Sequence, residues 1–163
     1  MVKLIGDTLR NSLIEQIGHE KYNANLYMYI CGFLRSKGLD NLSKHFLEQH
    51  EEETVHSLEF FNLLTDLNAD VTIPEIDGIQ LPFENIIDVA TAYLNREILT
   101  TDSISEILKL SIQDNNPVVE QKCREMITKQ QKEYEEATTF LDNATLCGED
   151  WYRVKVWSDS IGG

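Results

Sequence analysis

The sequence lacks several features that mark common classes of protein. Its three cysteines, Cys31, Cys123 and Cys147, lie far apart and form no Cys-x-x-Cys pair. Their spacing argues against thiolate zinc and iron–sulfur motifs, and their odd number indicates free thiols in a reducing cytoplasm. No apolar run is long enough to span a bilayer, and the apolar start of the chain ends too early, at Gly6, to be expected as a signal peptide.

Positive charge is also scarce. The 163 residues include 14 Lys and Arg against 28 Asp and Glu, which gives a formal net charge of −14. Nucleic acids and anionic membranes are bound through basic patches, so neither partner is expected. The negative charge suits the attraction of metal cations, although a merely soluble protein could carry the same charge.

Proline is confined to a few positions. Pro74 and Pro82 fall in the only long stretch without a helical period, residues 68–82, which is expected to be an extended loop. The third proline, Pro117, follows Asn116, and this pair is typical of a capping residue and the first position of a helix. The rest of the chain is therefore free to form long helices.

Apolar residues at helical spacing predict four amphipathic helices, over about residues 6–36, 41–67, 84–113 and 117–144. Gly38 is expected to end the first helix, and Asp40 or Asn41 is expected to cap the second. Four long amphipathic helices in a chain of this size predict an all-α fold, a four-helix bundle.

One polar residue falls near the apolar face of each helix: Glu20, Glu53, Glu97 and Gln130. If these residues form one layer, short turns suffice between the first two helices and between the last two. The second and third helices would then run parallel, and their link would have to cover about 42 Å. The fifteen residues of the loop can extend to about 50 Å, which fits a long crossover.

The whole chain, residues 1–163, is expected to form one domain, with the bundle over about residues 6–145 and a short C-terminal segment over about 146–163. Two structures are possible for that segment. Val154 and Val156 alternate as in a strand, whereas Trp151, Val154 and Trp157 have the spacing of one helical face. The two tryptophans are expected to be buried at a subunit contact.

The second helix carries the motif Glu53-x-x-His56. Three residues make nearly one helical turn, so both side chains leave the same face, which is otherwise apolar. Buried ionisable groups are costly unless they are paired or bind metal, and a carboxylate and an imidazole suit a first-row transition metal. The motif is also common on solvated helices, so it does not establish a metal site by itself.

The layer as a whole makes a stronger case for metal. Glu53 is predicted to bridge two cations, with Glu20 and His56 completing the first position. Glu97 and Gln130 form a poorer second position. Several inward carboxylates cannot remain as uncompensated charge, which two cations would resolve. The alternative is a buried polar network that holds no metal.

This combination resembles the ferritin family, and in particular its bacterial non-haem members. The residues that carry the resemblance are Glu20 with Tyr27, Glu52 with Glu53 and His56, Glu97, and Gln130. The resemblance implies a ferroxidase centre, where dioxygen oxidises two ferrous ions per subunit, and a hollow shell of 24 subunits that stores ferric mineral. Tyr27 is then expected to hydrogen-bond a ligand carboxylate and to supply an electron.

The fourth helix departs from the wider ferritin-like superfamily. Its run over residues 130–133, Gln-Gln-Lys-Glu, lacks the second Glu-x-x-His of bacterioferritins, rubrerythrins and di-iron oxygenases. A glutamine ligand implies weak binding of the second iron, as expected when iron is a substrate. Glu52 and Glu133 match parts of a third iron site of bacterial ferritins, although Lys129 and Lys132 stand where more acids are expected.

The resemblance thus predicts a cytoplasmic, homo-oligomeric iron-storage protein with ferroxidase activity, acting on iron and dioxygen without haem. One alternative is an oxidase with a permanently bound di-iron cofactor, which the missing histidine on the fourth helix disfavours. Another is a protective shell like that of the miniferritins. Miniferritins place their iron between subunits, whereas this chain keeps its predicted ligands within one bundle, and it has no basic arm for DNA.

Overall fold

The computed structural model describes residues 2–162. These residues form helices α1 (Asp7–Ser36), α2 (Asp40–Asp66), α3 (Ile86–Gln113), α4 (Pro117–Cys147) and α5 (Trp151–Ser160). The all-α prediction is confirmed, and the C-terminal segment is a helix rather than a strand. Within the described range, no helix combines the length and the apolar character that crossing a bilayer requires. The cysteines are free and buried, as their scattered positions indicated.

The link between α2 and α3 runs along α1. Near its start, the Arg10 Nε donates a hydrogen bond to the carbonyl of Asp70 at 2.8 Å. Near its end, the Tyr29 hydroxyl donates to the carbonyl of Leu81, also at 2.8 Å. The link therefore travels from the beginning of α1 towards its end, and α2 and α3 point in the same direction. This is the long crossover that the connection lengths predicted.

Two glycines occupy positions where a larger residue would strain the backbone or clash with a neighbour. Gly18 lies where the crossover approaches α1, and a Cβ at this position would be only 2.7 Å from Cγ of Pro74. Gly38 has a φ of +74°, in the left-handed region, and it follows the end of α1 as predicted. A larger residue at Gly18 would therefore push the crossover outwards.

The start of α2 differs from the prediction. Leu39 precedes the helix and no side chain caps it, so the expected cap at Asp40 or Asn41 is wrong. The Asn41 amide instead donates to the carbonyl of Ser158 at 3.0 Å, and the Ser158 hydroxyl accepts from the backbone N–H of Leu42 at 3.3 Å. The polar groups at this end of α2 thus hold α5 against the bundle.

Two hydrophobic clusters fill the bundle, one towards each end. The upper cluster lies near the end of α1 and includes Leu34 and Phe46. The lower cluster lies near the start of α1 and includes Leu13 and Phe60. Between them lies a layer of polar side chains, each at most 7 % exposed: Glu20, Asn23, Gln49, Glu53, His56, Glu97, Thr100, Gln130 and Glu133. The shared polar level that the connections implied is therefore present.

The inward faces of α3 and α4 differ slightly from those expected. The apolar spacing of α4 places Tyr134 on the inward face, but this residue is 40 % exposed, and Glu133 is buried in its place. On α3 the apolar spacing places Thr101 on the inward face, but Thr101 is half-buried and its neighbour Thr100 is buried instead. Both helices are rotated by roughly one residue from the predicted stripe, which brings an additional carboxylate into the polar layer.

The Phe46 ring anchors the upper cluster. It packs against Tyr93 with 5.1 Å between ring centroids and against Phe140 with 5.2 Å. We expect Phe46→Ala to lower the free energy of unfolding by about 3–5 kcal/mol, because it removes a fully buried ring and leaves a cavity. Chemical denaturation would measure this loss. Val156→Ala, at a position that is 53 % exposed, is the control and should change stability by less than about 0.5 kcal/mol.

Candidate metal centre

The first group of candidate ligands combines α1 with α2. Glu20 comes from α1, and Glu53 and His56 come from successive turns of α2. The His56 Nδ1 lies 3.9 Å from Oε2 of Glu20 and 3.7 Å from Oε2 of Glu53. One ligand atom from each residue falls within 4.8 Å of the others, so a single cation could contact all three.

A second group lies beside the first and shares Glu53 with it. Its other members are Glu97 of α3 and Glu133 of α4, and the same 4.8 Å limit holds among the three carboxylates. The Nε2 of His56 is 3.9 Å from Oε1 of Glu133, so the two groups are in direct contact. Glu53 therefore has the position expected of a residue that bridges two cations.

Burial perturbs every carboxyl group of the two sets. Loss of solvent raises the pKa of Glu20, Glu53 and Glu97 above the ordinary value, and neighbouring carboxylates raise the first two further. Burial likewise raises the pKa of Glu133 to about 9, with contributions from Glu97 and Glu52. Bringing these four acids together is unfavourable in the absence of a compensating positive charge.

Part of the hydrogen-bonding capacity of this cluster is unused within residues 2–162. Buried polar atoms without a hydrogen-bond partner include Oε2 of Glu20, both carboxylate oxygens of Glu53, Nδ1 of His56 and Oε2 of Glu133. Buried polar atoms in proteins are almost always paired, so these exceptions call for an explanation. Hard oxygen donors and one imidazole, all unpaired and converging, fit one or two divalent or trivalent transition-metal cations.

Two further predicted residues meet at Glu97. The Tyr27 hydroxyl donates a hydrogen bond to its Oε1, and the Gln130 amide donates to its Oε2. Tyr27 therefore makes the predicted contact with the carboxylate of a candidate ligand. Gln130 is buried and its neighbour Gln131 is exposed, so Gln130 faces inwards as predicted.

The remaining predicted residue, Glu52, is exposed on α2, and its negative charge helps to raise the pKa of Glu133. Glu133 itself belongs to the group with Glu53 and Glu97. Lys129 pairs with Glu59 at 3.7 Å on the same side of the bundle. Within residues 2–162, the two groups described above account for every set of three close His, Cys, Asp or Glu ligands.

Sequence reasoning missed the residues that surround the acids. The Gln16 amide donates to Oε1 of Glu20 at 2.9 Å. On the other side, the Arg96 Nε donates to Oδ1 of Asn23 at 2.7 Å, and the Asn23 amide donates to the hydroxyl of Thr100 at 2.9 Å. Gln16 and Asn23 lie four residues before and three residues after Glu20, so helical spacing alone could have identified both.

The fold and the buried groups of candidate ligands point to one family of proteins. A ferritin-like domain model matches residues 10–147, and the chain belongs to the ferritin-like family. Its relatives include the ferritin BfrB of Mycolicibacterium smegmatis, 27 % identical over 91 % of this chain and 83 % of that protein. The bacterial non-heme ferritin of Staphylococcus aureus is 19 % identical over 98 % of this chain and 96 % of its own.

Solved structures agree on the fold. An open-pore ferritin from the hyperthermophilic archaeon Archaeoglobus fulgidus superposes with a TM-score of 0.90. The match covers 96 % of this chain and 95 % of the archaeal one, at 20 % identity. An Archaeoglobus fulgidus ferritin engineered into a closed form gives a TM-score of 0.89.

Proposed function

We propose that this protein stores iron in the cytoplasm and has ferroxidase activity. Ferrous iron is its substrate, dioxygen is its oxidant, and ferric mineral inside a homo-oligomeric shell, of 24 subunits, is its product. The observation that carries the proposal is the pair of ligand groups joined at Glu53, whose buried oxygens have no protein partner. Such an arrangement suits two iron ions close together, each able to give one electron to the same dioxygen molecule.

Each ligand has a distinct part in this proposal. Glu20 and His56 hold the first iron with Glu53, and the imidazole adds affinity for ferrous iron. Glu97 and Glu133 hold the second iron with Glu53, and carboxylates favour the ferric product because both are hard. Oxidation therefore strengthens the metal–carboxylate interaction and is driven in part by it.

Gln130, Tyr27 and Glu52 complete the proposed centre. The neutral Gln130 amide gives the second iron a weaker ligand than a carboxylate or imidazole would, which favours release of the product. Tyr27 holds Glu97 in place through its hydrogen bond and supplies an electron during oxidation. Glu52, exposed beside Glu133, provides a first contact for iron that moves to or from the second position.

The two alternative functions make different demands on the structure. A permanently bound di-iron cofactor calls for a fuller set of strong ligands, and the α4 set of Gln130 and Glu133 has no histidine. A shell of the miniferritin type would place its ligands on different subunits. Here α1, α2, α3 and α4 of one chain contribute all the candidate ligands.

Aerobic loading of the metal-free protein tests the proposal. A large excess of ferrous iron is added, and iron per chain is measured across a sizing column. We expect tens to hundreds of irons per chain in a very large particle, because oxidised iron leaves the centre and accumulates as mineral. About two irons per chain without mineral would instead establish a bound di-iron oxidase. No retained iron would mean that the polar layer is only a hydrogen-bonded network.

A further inference from the structure

A series of aromatic rings connects the candidate metal centre with a groove on the protein surface. The groove, about 420 Å³ in volume, lies between α2, α4 and α5, and its walls include His45, Phe140 and Trp157. The series begins at Tyr27, whose hydroxyl is hydrogen-bonded to Glu97. It ends at Trp157, which is half-buried and therefore accessible from the groove.

Each ring in the series contacts the next. The centroids of Tyr27 and Tyr93 are 5.4 Å apart in an edge-to-face arrangement. Tyr93 and Phe140 follow at 5.8 Å, and Phe140 and Trp157 at 4.9 Å. These are ordinary distances for packed aromatic pairs. The notable property is their order, because tyrosine and tryptophan, the two most readily oxidised aromatic side chains, occupy both ends.

Tyr93 also has a base within reach. Its hydroxyl oxygen lies 3.3 Å from Nε2 of His45, whose ring stacks on Phe140 at 6.0 Å and 15°. Burial lowers the pKa of His45, which favours the neutral ring, and a neutral imidazole has one nitrogen that accepts a proton. Oxidation of a tyrosine releases the phenol proton, and a base at hydrogen-bond distance makes this loss feasible in a dry interior.

We propose that Tyr93, His45 and Trp157 form a relay that carries single electrons from the groove to Tyr27. This inference rests on the ferroxidase function proposed above, which supplies the oxidant. Packing alone would account for buried aromatic rings. It would not require a histidine beside the Tyr93 hydroxyl or a half-exposed tryptophan at the outer end.

The relay moves one electron inwards for each ferrous ion oxidised in the groove. Once Tyr27 has given an electron to dioxygen and its phenol proton to the hydrogen-bonded Glu97 carboxylate, Tyr93 reduces the Tyr27 radical and passes its own proton to His45. Tyr27 takes its proton back from Glu97, and the protons that dioxygen takes up come from water. Trp157 then reduces the Tyr93 radical, which takes its proton back from His45. A ferrous ion in the groove reduces the oxidised Trp157 and becomes ferric, so every side chain returns to its starting state.

The relay affects how far dioxygen is reduced. The two irons of the centre supply two electrons, enough for hydrogen peroxide, whereas water requires four. Two turns of the relay provide the difference. With excess ferrous iron, the wild-type protein should therefore oxidise about four ferrous ions per dioxygen consumed and release little peroxide.

Trp157→Phe and Tyr93→Phe test the relay. An oxygen electrode, an iron assay and a peroxide assay give the ratio of iron to dioxygen, and rapid freeze-quenching with electron paramagnetic resonance detects the radicals. We expect both variants to shift the ratio from about four towards about two and to release peroxide. The tryptophan radical should be absent from Trp157→Phe. Tyr93→Phe removes only a hydroxyl group, so it keeps the test valid if Trp157→Phe folds poorly.

Trp151→Phe is the matched control. Trp151 is half-buried on the same helix, but its ring packs against Phe33 at 6.0 Å and lies outside the series. If Trp157→Phe and Trp151→Phe give the same ratio and the same radical signals, the relay is overturned while the ferroxidase function stands. A wild-type protein that oxidises no iron would overturn the ferroxidase function and, with it, the relay.

Discussion

Glu53→Gln should abolish rapid oxidation of ferrous iron. Glu53 is the one residue shared by both groups of candidate ligands, and both of its oxygens lack a protein partner. Glutamine keeps the size of the side chain but replaces one ligand oxygen with a nitrogen that cannot bind a cation, and it removes the negative charge. Loss of an outer-shell partner typically costs about 10–100-fold, so we expect a loss of more than about a hundredfold here. Stopped-flow absorbance after mixing with dioxygen measures the rate.

The same helix provides the control for this experiment. Glu51 is exposed, two residues before Glu53, and it belongs to neither ligand group. Glu51→Gln makes the same chemical change and should leave the oxidation rate within about a factor of two of the wild type. Retention of rapid oxidation by Glu53→Gln, with the fold intact by circular dichroism, would remove Glu53 from the proposed centre.

Glu133→Gln should stabilise the metal-free protein at neutral pH. Burial raises the pKa of Glu133 from its ordinary value of 4.5 to about 9 in the folded chain. Between these values the unfolded chain loses a proton that the folded chain retains, so stability is lost as the pH rises. Glutamine does not titrate and avoids the loss, which amounts to about 3 kcal/mol at pH 7. For a chain of this size, the expected rise in Tm is about 5–10 °C.

The pH dependence separates this effect from a simple change in packing. The stabilisation by Glu133→Gln should be larger at about pH 8 than at about pH 5, because the difference in protonation increases across that range. Glu125→Gln, at an exposed position on the same helix, should show no such trend. Thermal unfolding of chelator-treated protein at both pH values provides the comparison. A gain in Tm that is the same at both pH values would mean that the stabilisation does not come from the raised pKa of Glu133.

Much of the fold and of the candidate centre could be predicted from the sequence, because the helices could be related to one another by a single assumption: that their inward polar residues lie at one level. Helical spacing placed Glu20, Glu53, Glu97 and Gln130 near inward faces, and a common level for them accounted for the lengths of all three connections. The structure confirms the crossover and the shared layer. That these residues bind iron remains a proposal from the geometry.

The errors have local physical causes. At Glu133 and Tyr134, hydrophobicity favoured burying the tyrosine, but α4 is rotated so that Glu133 is buried beside the other carboxylates. At the start of α2, Asn41 was expected to cap a helix, yet α5 offers Ser158 as a partner from the far end of the chain. Neither contact is encoded in nearby residues, and the partner of a polar side chain cannot be derived from its own helix alone.

The crossover along α1 has a consequence for how the centre forms during folding. It divides the bundle into two local hairpins, α1 with α2 and α3 with α4, whose internal contacts are close in sequence and should form early. The first hairpin contains every member of one ligand group, Glu20, Glu53 and His56, whereas the second group needs Glu97 and Glu133 from the other hairpin. A folding chain would thus assemble its first group of candidate ligands before its second, and iron bound by the second group would show that the two hairpins have docked.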